Sequence, residues 1–188
     1  MGNRTHLISV IIPCYNGEKF IKETIQSVLD QTYSPIEILV VDDGSTDKSF
    51  EIASTFNEVC AVKQDNSGVA AARNVGFEQS KGDFVCFLDA DDWLYPNTIE
   101  DKLNALLSSN AAISHGKAIV TDENLIPTGD VLIGAKDNTL QALLNYSPPA
   151  IPCPSNALIA RWAIEECGLF DTRLSTSADY DMWLRIAS

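Results

Sequence analysis

Three aspartates stand together directly after an apolar run. The run is FVCFL, at residues 84–88, and it leads into Asp89, Asp91 and Asp92. Carboxylates at a strand end are costly unless a positive group lies among them. A divalent cation held by one or two carboxylates and by substrate phosphate oxygens meets that need, and it would neutralise a diphosphate leaving group. The alternative is that the aspartates only cap the following helix, because a bare Asp-x-Asp pair is common.

A second pair of aspartates follows another apolar run. Residues 36–41 (IEILVV) precede Asp42 and Asp43, and Ser45 or Thr46 is expected to cap the helix that follows. One carboxylate at a strand tip is suited to accept hydrogen bonds from a nucleotide base or a ribose. The alternative is an ordinary strand-to-helix turn, which explains the capping residues but not the two aspartates.

The segments that carry these aspartates alternate between predicted strands and helices. Buried strands are indicated by apolar, β-branched runs, and helices by apolar residues at helical spacing. The predicted order is strand 7–13, helix 18–30, strand 36–41, helix 45–56, strand 59–62, helix 67–79 and strand 84–88. This alternation indicates an α/β fold whose mostly parallel central sheet has helices on both faces. Ligands bind at the carboxyl ends of such strands, so we expect the aspartates to converge there.

The second half of the sequence is less regular. Its predicted order is helix 96–108, strand 113–120, irregular segment 124–134, helix 140–144, strand 155–160, helical turn 162–167 and helix 179–187. Residues 146–154 contain four prolines and cannot form a regular element. We expect Trp162 and Trp183 to pack in the core. No linker interrupts the 188 residues, which suit one domain.

Composition excludes several classes of protein. With 45% hydrophobic residues the chain can bury a core, and its net charge of −13 argues against nucleic-acid binding. Five cysteines form no Cys-x-x-Cys pair, and Cys60, Cys86 and Cys153 lie in apolar runs, which favours buried thiols in a reducing cytosol. Without a signal peptide or a transmembrane segment in the sequence, we expect a cytoplasmic protein. The sequence leaves open whether the substrate that it acts on is attached to a membrane.

Three consecutive stretches together resemble a known enzyme family. They read SVIIPCYNGEKFIKETIQSVLDQTY, EILVVDDGSTDKS and QDNSGVAAARNVGFEQSKGDFVCFLDADDWLYP, and they cover about half the chain in unbroken order. Taken together, the three stretches resemble family 2 of the nucleotide-sugar glycosyltransferases. A later stretch, NALIARWAIEECGLFDTRLSTSADYDMWLRIA, resembles the acceptor-side segment of that family, whereas residues 110–150 match no part of it.

The resemblance implies one GT-A domain over residues 1–188. Its Rossmann-like nucleotide-binding half spans about 1–110, and its acceptor-side half spans about 111–188. The implied reaction moves a hexose or N-acetylhexosamine, with inversion, from a nucleoside diphosphate sugar (by family expectation UDP-linked) to a saccharide or lipid-linked saccharide acceptor. Such transfer serves polysaccharide or glycoconjugate synthesis, in the cytoplasm or at the inner face of the membrane. The chain is also consistent with a fragment of a longer protein.

The matching positions imply roles on the donor side. Pro13 and Tyr15 would border the nucleotide base, Asp43 would hydrogen-bond that base, and Asp89 would contact the ribose. Asp91 would ligate Mn²⁺ or Mg²⁺ beneath the diphosphate. These five residues therefore form the expected nucleotide and metal site.

Other matching positions have less specific implied roles. Arg73 and Asn74 would lie at the nucleotide side, and the planar guanidinium of Arg73 suits a phosphate or a planar acceptor. The alternative for Arg73 is an ion pair with a site aspartate. Asp42 would orient the turn. Residues 146–149 would shape the acceptor pocket and residues 155–156 would line it, by analogy alone.

Inverting transfer also requires a base. One carboxylate must take the acceptor proton as the acceptor oxygen attacks the anomeric carbon from behind. Asp179 matches the family position for that base, although Ala178 stands where glutamate is usual, a departure that concerns acceptor positioning more than proton removal. The alternative role of Asp179 is to cap its helix. Asp181 is the rival base, and its expected partner is Arg185 one turn on.

Two other functions stay open as alternatives. One is a catalytically inactive nucleotide-sugar-binding module of a larger protein. The other is a nucleotidyltransferase, but those enzymes usually carry a glycine-rich, cationic loop after the first strand. Residues 14–18 here contain one glycine and no Lys or Arg.

Overall fold

A six-stranded sheet forms the centre of the molecule. The computed structural model describes residues 5–136, 139–145, 150–174 and 176–188. The strands in these ranges are β1 (Ile8–Cys14), β2 (Ile36–Asp42), β3 (Val59–Lys63), β4 (Phe84–Phe87), β5 (Ile113–His115), β6 (Lys117–Thr121), β7 (Pro127–Ile133) and β8 (Ala157–Ala160). All of them except β6 and β7 belong to the central sheet. The sheet order is β3–β2–β1–β4–β8–β5, with β1 to β4 parallel and β8 antiparallel to both its neighbours. The predicted mostly parallel sheet is confirmed.

Helices cover both faces of this sheet, as predicted. They are α1 (Ile21–Leu29), α2 (Ser49–Ala53), α3 (Val69–Gln79), α4 (Thr98–Ser109), α5 (Thr139–Asn145), α6 (Arg161–Cys167) and α7 (Ala178–Ala187). Successive side chains of a strand point to opposite faces. Thus Ile8, Val10 and Ile12 of β1 pack in the cluster that contains α1 and α4, whereas Ile11 packs in the cluster that contains α3, α6 and α7. The continuous apolar run of β1 follows from burial on both sides.

The turn between β2 and α2 differs from the sequence prediction. The predicted cap is Ser45 or Thr46, but α2 begins at Ser49. Ser45 Oγ accepts a hydrogen bond from the Asn16 N–H, and Asn16 Oδ1 accepts one from the Thr46 N–H. These polar groups therefore join the ends of β1 and β2. The N-cap position of α2 is Lys48, and the side chain of the preceding residue, Asp47, accepts the Ser49 N–H at 2.9 Å.

The segment after α4 also corrects the prediction. The strand predicted at 113–120 is two strands in two sheets, since β5 joins the central sheet and β6 pairs with β7 in an antiparallel hairpin. Gly116 separates them, and its N–H donates to Asn156 Oδ1 at 2.8 Å. The prediction of irregular structure at 124–134 is wrong, because β7 lies there. Every residue of β7 is exposed, so it lacks the apolar alternation that identifies a strand.

Burial departs from expectation at two positions. Trp183 is 3% exposed, as predicted. Trp162 is 57% exposed, because the residues of α6 that pack in the core are the two that follow it, Ala163 and Ile164. All five cysteines are free; Cys86 is buried and Cys153 half-buried, whereas Cys60 is exposed on the edge strand β3. The prediction of a buried side chain is therefore wrong for Trp162 and Cys60.

None of the helices in the described ranges has the length and apolar character needed to cross a membrane.

Candidate active site

Asp43, at the carboxyl end of β2, holds the loop that leads into α3. Its side chain is buried. Its Oδ1 accepts hydrogen bonds from Gln64 Nε2 at 2.7 Å and from the Ser67 N–H at 2.8 Å, and its Oδ2 accepts the Gly68 N–H at 2.8 Å. A carboxylate has about four acceptor positions, so Asp43 keeps about one for a ligand.

Asp42 and Gly44 shape the turn on either side of Asp43. Asp42 is fully buried, and its Oδ1 accepts the Ser45 N–H at 3.1 Å, which fits the expected role of orienting the turn. Gly44 has a φ of +77°, and a Cβ there would lie 2.9 Å from the backbone nitrogen of Asn66. A side chain at position 44 would therefore push away the loop that Asp43 holds.

Pro13 and Tyr15, at the end of β1, lie in different surroundings. Pro13 is buried and pairs with Val41 of β2. Tyr15 is 54% exposed. Of the two residues expected to border a base, Tyr15 is the one whose ring is open to stack on a planar ligand without rearrangement.

Arg73 on α3 forms a buried ion pair with Asp89. The Arg73 Nη2 atom lies 2.6 Å from Asp89 Oδ1, and the two side chains are 6% and 32% exposed. The guanidinium also lies 5.4 Å from the centre of the Phe170 ring. Of the two roles left open by the sequence, the ion pair is present, and direct contact of Arg73 with a nucleotide stays a prediction. The pair orients Asp89 and leaves its Oδ2 for a ligand.

The turn after β4 brings three carboxylates together. The Asp92 N–H donates to the Asp89 carbonyl at 3.0 Å, and the Asp89 N–H donates to Ser155 Oγ at 3.0 Å. Burial raises the pKa of the Asp92 carboxyl, the charges of Asp89 and Asp91 add to that rise, and a hydrogen bond with Ser155 opposes it. Mutual repulsion of this kind is relieved by a cation among the carboxylates.

This turn suits a divalent cation shared with a substrate. Within the described ranges, no three His, Cys, Asp or Glu side chains form a cluster that could hold a metal alone. Mg²⁺ and similar ions are usually held by one or two carboxylates together with substrate phosphates. Asp91 is exposed, and Asp89 has an oxygen outside its ion pair. The residues present therefore fit a metal that binds together with a diphosphate.

Asp179 and Asp181 begin α7 and have different partners. Asp179 is partly exposed, and its Oδ1 accepts the Tyr180 N–H at 2.8 Å. Asp181 Oδ2 lies 2.8 Å from Arg185 Nη2, so the predicted pair one turn apart is confirmed. Among the residues that the structure describes, Asp179 has no cationic partner. Its role as the base stays a prediction, and Asp181 is the carboxylate already engaged.

A cleft of about 110 Å³ opens beside Asp91. It is lined by Asp91, Asp92, Trp93, Leu94, Tyr95, Thr98, Lys102, Lys117, Ala118, Ile119, Thr121, Cys153, Ser155 and Asn156. Asp43, Asp89 and Asp179 do not line it. The two positions expected to line an acceptor pocket, 155 and 156, do line this cleft, whereas residues 146–149 lie outside the described residues.

Helix α3 connects the parts of the site that the cleft does not. The loop at its start is held by Asp43, its Arg73 holds Asp89, and its Asn74 side chain exchanges two hydrogen bonds with the Phe170 backbone, of 2.9 and 3.0 Å. The Asn74 amide, expected at the nucleotide side, thus binds the segment before α7, in the half expected to hold the acceptor. Asp89 and Asp91 share an effect on the pKa of Asp92, whereas Asp43 is linked to Asp89 only through α3. The cleft beside Asp91 is lined by neither Asp43 nor Asp89, so the expected convergence of these three aspartates on one site stays a prediction.

Sequence reasoning missed Lys102, which lines the cleft although it is 8% exposed. The signal lies in the spacing of α4. Lys102 follows Ile99 by three residues and precedes Leu106 by four, and both of these are buried. Such spacing places Lys102 on the inner face of the helix. A lysine on an apolar helical stripe is unusual, because lysines are almost never fully buried without a partner.

Comparison with known proteins identifies relatives across most of the chain. Residues 9–168 match the family model described as Glycosyl transferase family 2. An uncharacterised glycosyltransferase of Rickettsia typhi is 33% identical over 200 residues, an alignment that covers 97% of this chain and 60% of the relative. The chain therefore spans about three fifths of that relative.

Two solved structures share the fold. S. aureus TarS in complex with UDP has a TM-score of 0.78 and 24% identity, with 96% of this chain and 54% of that chain covered. The mannosyltransferase PcManGT from Pyrobaculum calidifontis, in complex with GDP-Man and Mn²⁺, has a TM-score of 0.69 and 21% identity, with 95% and 51% covered. The predicted GT-A fold is confirmed by this similarity.

Proposed function

This chain belongs to glycosyltransferase family 2, and on that premise we propose that it transfers a sugar from a nucleoside diphosphate sugar to an acceptor hydroxyl, with inversion. The observation that carries the proposal is the acidic turn after β4, where the charges of Asp89 and Asp91 act on Asp92 and where Asp91 and Asp92 line a cleft. A departing diphosphate needs positive charge close to its oxygens, and this turn offers the ligands for a cation.

We place the donor nucleotide along the edge formed by β1, β2 and β4. Tyr15 flanks the base next to Pro13, and Asp43 gives its remaining acceptor position to that base. Asp89, oriented by Arg73, accepts hydrogen bonds from the ribose. TarS was solved with UDP, which favours a uridine nucleotide, and the transferred unit belongs to the hexose or N-acetylhexosamine class.

Mn²⁺ or Mg²⁺ is the proposed cofactor, and Asp91 is its protein ligand. PcManGT was solved with Mn²⁺, which supports this ion. When bound, the ion supplies positive charge to the leaving diphosphate. Asp91 fixes where the diphosphate lies, and Asp89 offers its second oxygen at the same turn.

Asp179 is the proposed base. A bond forms between the acceptor oxygen and the anomeric carbon, the bond from that carbon to the diphosphate oxygen breaks, and the acceptor proton passes to Asp179. Attack and departure occur on opposite faces of the sugar, so the configuration inverts. The partial exposure of Asp179 and the engagement of Asp181 with Arg185 favour Asp179 in this role.

The acceptor side of the proposal rests on family membership. We propose a saccharide or lipid-linked saccharide acceptor, used in polysaccharide or glycoconjugate synthesis in the cytoplasm or at the inner face of the membrane. The alternative of an inactive binding module gains no support, because the carboxylates that the reaction requires are all present. Asp43, Asp89, Asp91 and Asp179 occupy the expected ends of their elements.

Donor turnover tests the proposal. Purified protein is incubated with UDP-linked hexoses, hexuronates and N-acetylhexosamines, with and without Mn²⁺, and released UDP is measured. We expect Mn²⁺-dependent release that falls about a hundredfold or more in Asp91→Asn, because charge on the leaving group is then poorly neutralised. Asp101→Asn, at an exposed carboxylate on α4, is the matched control and keeps wild-type turnover. Normal turnover in Asp91→Asn, or no release from any nucleoside diphosphate sugar, contradicts the proposal.

A further inference from the structure

A buried lysine without a partner lines the cleft beside the acidic turn. In the part of the chain that the structure describes, the Lys102 ammonium has neither a hydrogen bond nor an ion pair. Burial lowers the pKa of this ammonium, and the neighbours that oppose the shift are the thiols of Cys86 and Cys153 rather than carboxylates. The Lys102 side chain is buried as a whole, but its Nζ atom is not fully enclosed and can therefore meet a ligand in the cleft. A mostly buried charge without a partner is costly, so the position favours an anionic ligand.

The ammonium lies on the cleft side of α4. The Cys153 thiol raises the pKa of Lys102, against the larger effect of burial, and Cys153 itself lines the cleft. Asp91 and Asp92 line the cleft as well, but neither forms an ion pair with Lys102 within the described ranges, and neither acts on its pKa. Lys117 of β6 adds a second, exposed cation. The cleft therefore has an acidic wall from the turn after β4 and a basic wall from α4 and β6.

The remaining lining suits a sugar ring. Trp93 and Tyr95 pack edge to face with their ring centres 4.7 Å apart, and both line the cleft. Thr98, Thr121 and Ser155 place hydroxyl groups there. Apolar and aromatic walls with a few oriented polar groups are the usual features of a small-molecule site.

We propose that this cleft receives the transferred sugar and that, within the hexose class, this sugar is a hexuronic acid (a hexose oxidised at C6), whose C6 carboxylate pairs with Lys102. The inference rests on the proposed function, because a ring attached to the diphosphate at Asp91 lies next to the cleft. The ring hydroxyls then face Asp92 and Ser155, and the carboxylate faces the basic wall. A neutral hexose would present a CH₂OH group at C6 and would leave the ammonium buried and unpaired.

Matched donors that differ only at C6 test this assignment. Calorimetry with Mn²⁺ compares UDP-glucuronate with UDP-glucose and UDP-galacturonate with UDP-galactose, with UDP alone as the internal reference for each variant. We expect wild-type protein to bind the acidic member of at least one pair about tenfold or more tightly, as a charge-assisted hydrogen bond implies. Lys102→Met keeps a long side chain without the charge and should bring that ratio close to one. Lys117→Met, at the exposed cation, should lower it only about twofold.

Thermal unfolding gives a readout that is independent of donor binding. Removal of an unpaired buried ammonium should raise the unfolding midpoint of Lys102→Met in the absence of donor. A lowered midpoint would show that the lysine already has a partner in the folded protein, and it would count against the inference.

Four binding results overturn the inference, and one of them also ends the proposed function. Equal binding within both donor pairs, or a preference retained in Lys102→Met, overturns the hexuronate assignment while glycosyl transfer stands. A preference seen only between methyl glucuronide and methyl glucoside as acceptors overturns the donor assignment in the same way. Failure to bind UDP or any UDP-sugar, with or without Mn²⁺, ends the proposed function together with the inference.

Discussion

The two halves of the molecule hold their carboxylates in different ways. In the half proposed to bind the nucleotide, Asp43 accepts hydrogen bonds from residues more than twenty positions along the chain, and Asp89 pairs with Arg73 on a separate helix. In the half proposed to bind the acceptor, the described hydrogen bonds to the carboxylates of Asp179 and Asp181 come from within α7 itself, from Tyr180 and Arg185. Tertiary contacts fix the donor side before a ligand arrives, whereas one helix sets the position of the proposed base.

This contrast predicts which substitutions change the stability of the fold and which change only the reaction. Substitutions at the donor-side carboxylates and their partners are expected to change stability and nucleotide binding together, because the same bonds serve both. A substitution at Asp179 is expected to change chemistry with little effect on the fold. Fixed donors and acceptors around a developing charge lower the cost of reorganisation during reaction. Such fixed groups are found in the half from which, in the proposed reaction, the charged leaving group departs.

The largest expected effect is the loss of sugar transfer in the Asp179→Asn variant. Loss of a general base typically costs about a hundredfold to ten-thousandfold in rate. We expect transfer to an acceptor to fall by that amount while UDP affinity and the unfolding midpoint stay close to wild type. Product formation and UDP binding, measured on the same preparation, check this prediction.

The matched variant for that experiment is Asp181→Asn. It weakens the pair with Arg185, an interaction within one helix worth about 0.5 kcal/mol, and it should keep transfer. A collapse of donor affinity in Asp179→Asn would show that Asp179 belongs to the donor side. Loss of transfer in Asp181→Asn alone would make Asp181 the base.

The next effect is on stability in Arg73→Met. Removal of one partner from a buried ion pair leaves the other charge uncompensated, and we expect a loss of about 3 kcal/mol in the free energy of unfolding. Arg173→Met is the control, because Arg173 is 88% exposed where it pairs with Asp171. Such exposed pairs contribute less than about 1 kcal/mol. Urea denaturation of the two variants measures the difference, and equal losses would contradict the contrast between the halves.

Gly44→Ala should destabilise the protein less than Arg73→Met. A non-glycine residue at positive φ costs about 1 kcal/mol, and the clash with the Asn66 backbone adds about as much. Gly129 also has a positive φ, of +96°, but a Cβ there has no neighbour within 4 Å among the described residues. Gly129→Ala should therefore show the backbone cost alone. UDP binding should weaken only in Gly44→Ala, and weakening in both variants would argue against a specific role for the Asp43 loop.

The smallest effect is on thiol reactivity. Cys60 is exposed on β3, whereas burial raises the pKa of the Cys153 thiol to about 12, with the charge of Asp92 adding to the rise. The reactive thiolate of Cys153 is therefore scarce at pH 8. Iodoacetamide at that pH should label Cys60 rapidly in the folded protein and Cys153 only after unfolding. Peptide mass spectrometry checks the order, and similar rates at the two sites would contradict it.

The first half of the fold was readable from the sequence because its strands are covered on both faces. Such strands appear as continuous apolar runs, and the aspartates at their ends follow directly. The hairpin strand β7 was missed because an exposed strand carries no apolar alternation. Trp162 was misplaced because apolar spacing does not show which residues of a one-turn helix face the core.

The candidate site was predictable only in part, for a similar reason. Its carboxylates lie at strand ends that a parallel sheet must bring to one edge. Their partners depend on tertiary contacts between distant segments, such as Gln64 with Asp43 and Arg73 with Asp89. Sequence spacing left the role of Arg73 open, because its pairing with Asp89 joins distant segments. The inward position of Lys102, by contrast, was readable from its spacing with Ile99 and Leu106, but the spacing alone gave it no function.

The most direct test of the central claim is UDP affinity measured by calorimetry with and without Mn²⁺. The claim is that the carboxylates at the end of β4 hold an ion bound to a diphosphate. We predict that Mn²⁺ tightens UDP binding about tenfold or more in wild-type protein and that Asp91→Asn loses this dependence. UDP affinity that is the same with and without Mn²⁺, or an unchanged Mn²⁺ effect in Asp91→Asn, would contradict the account.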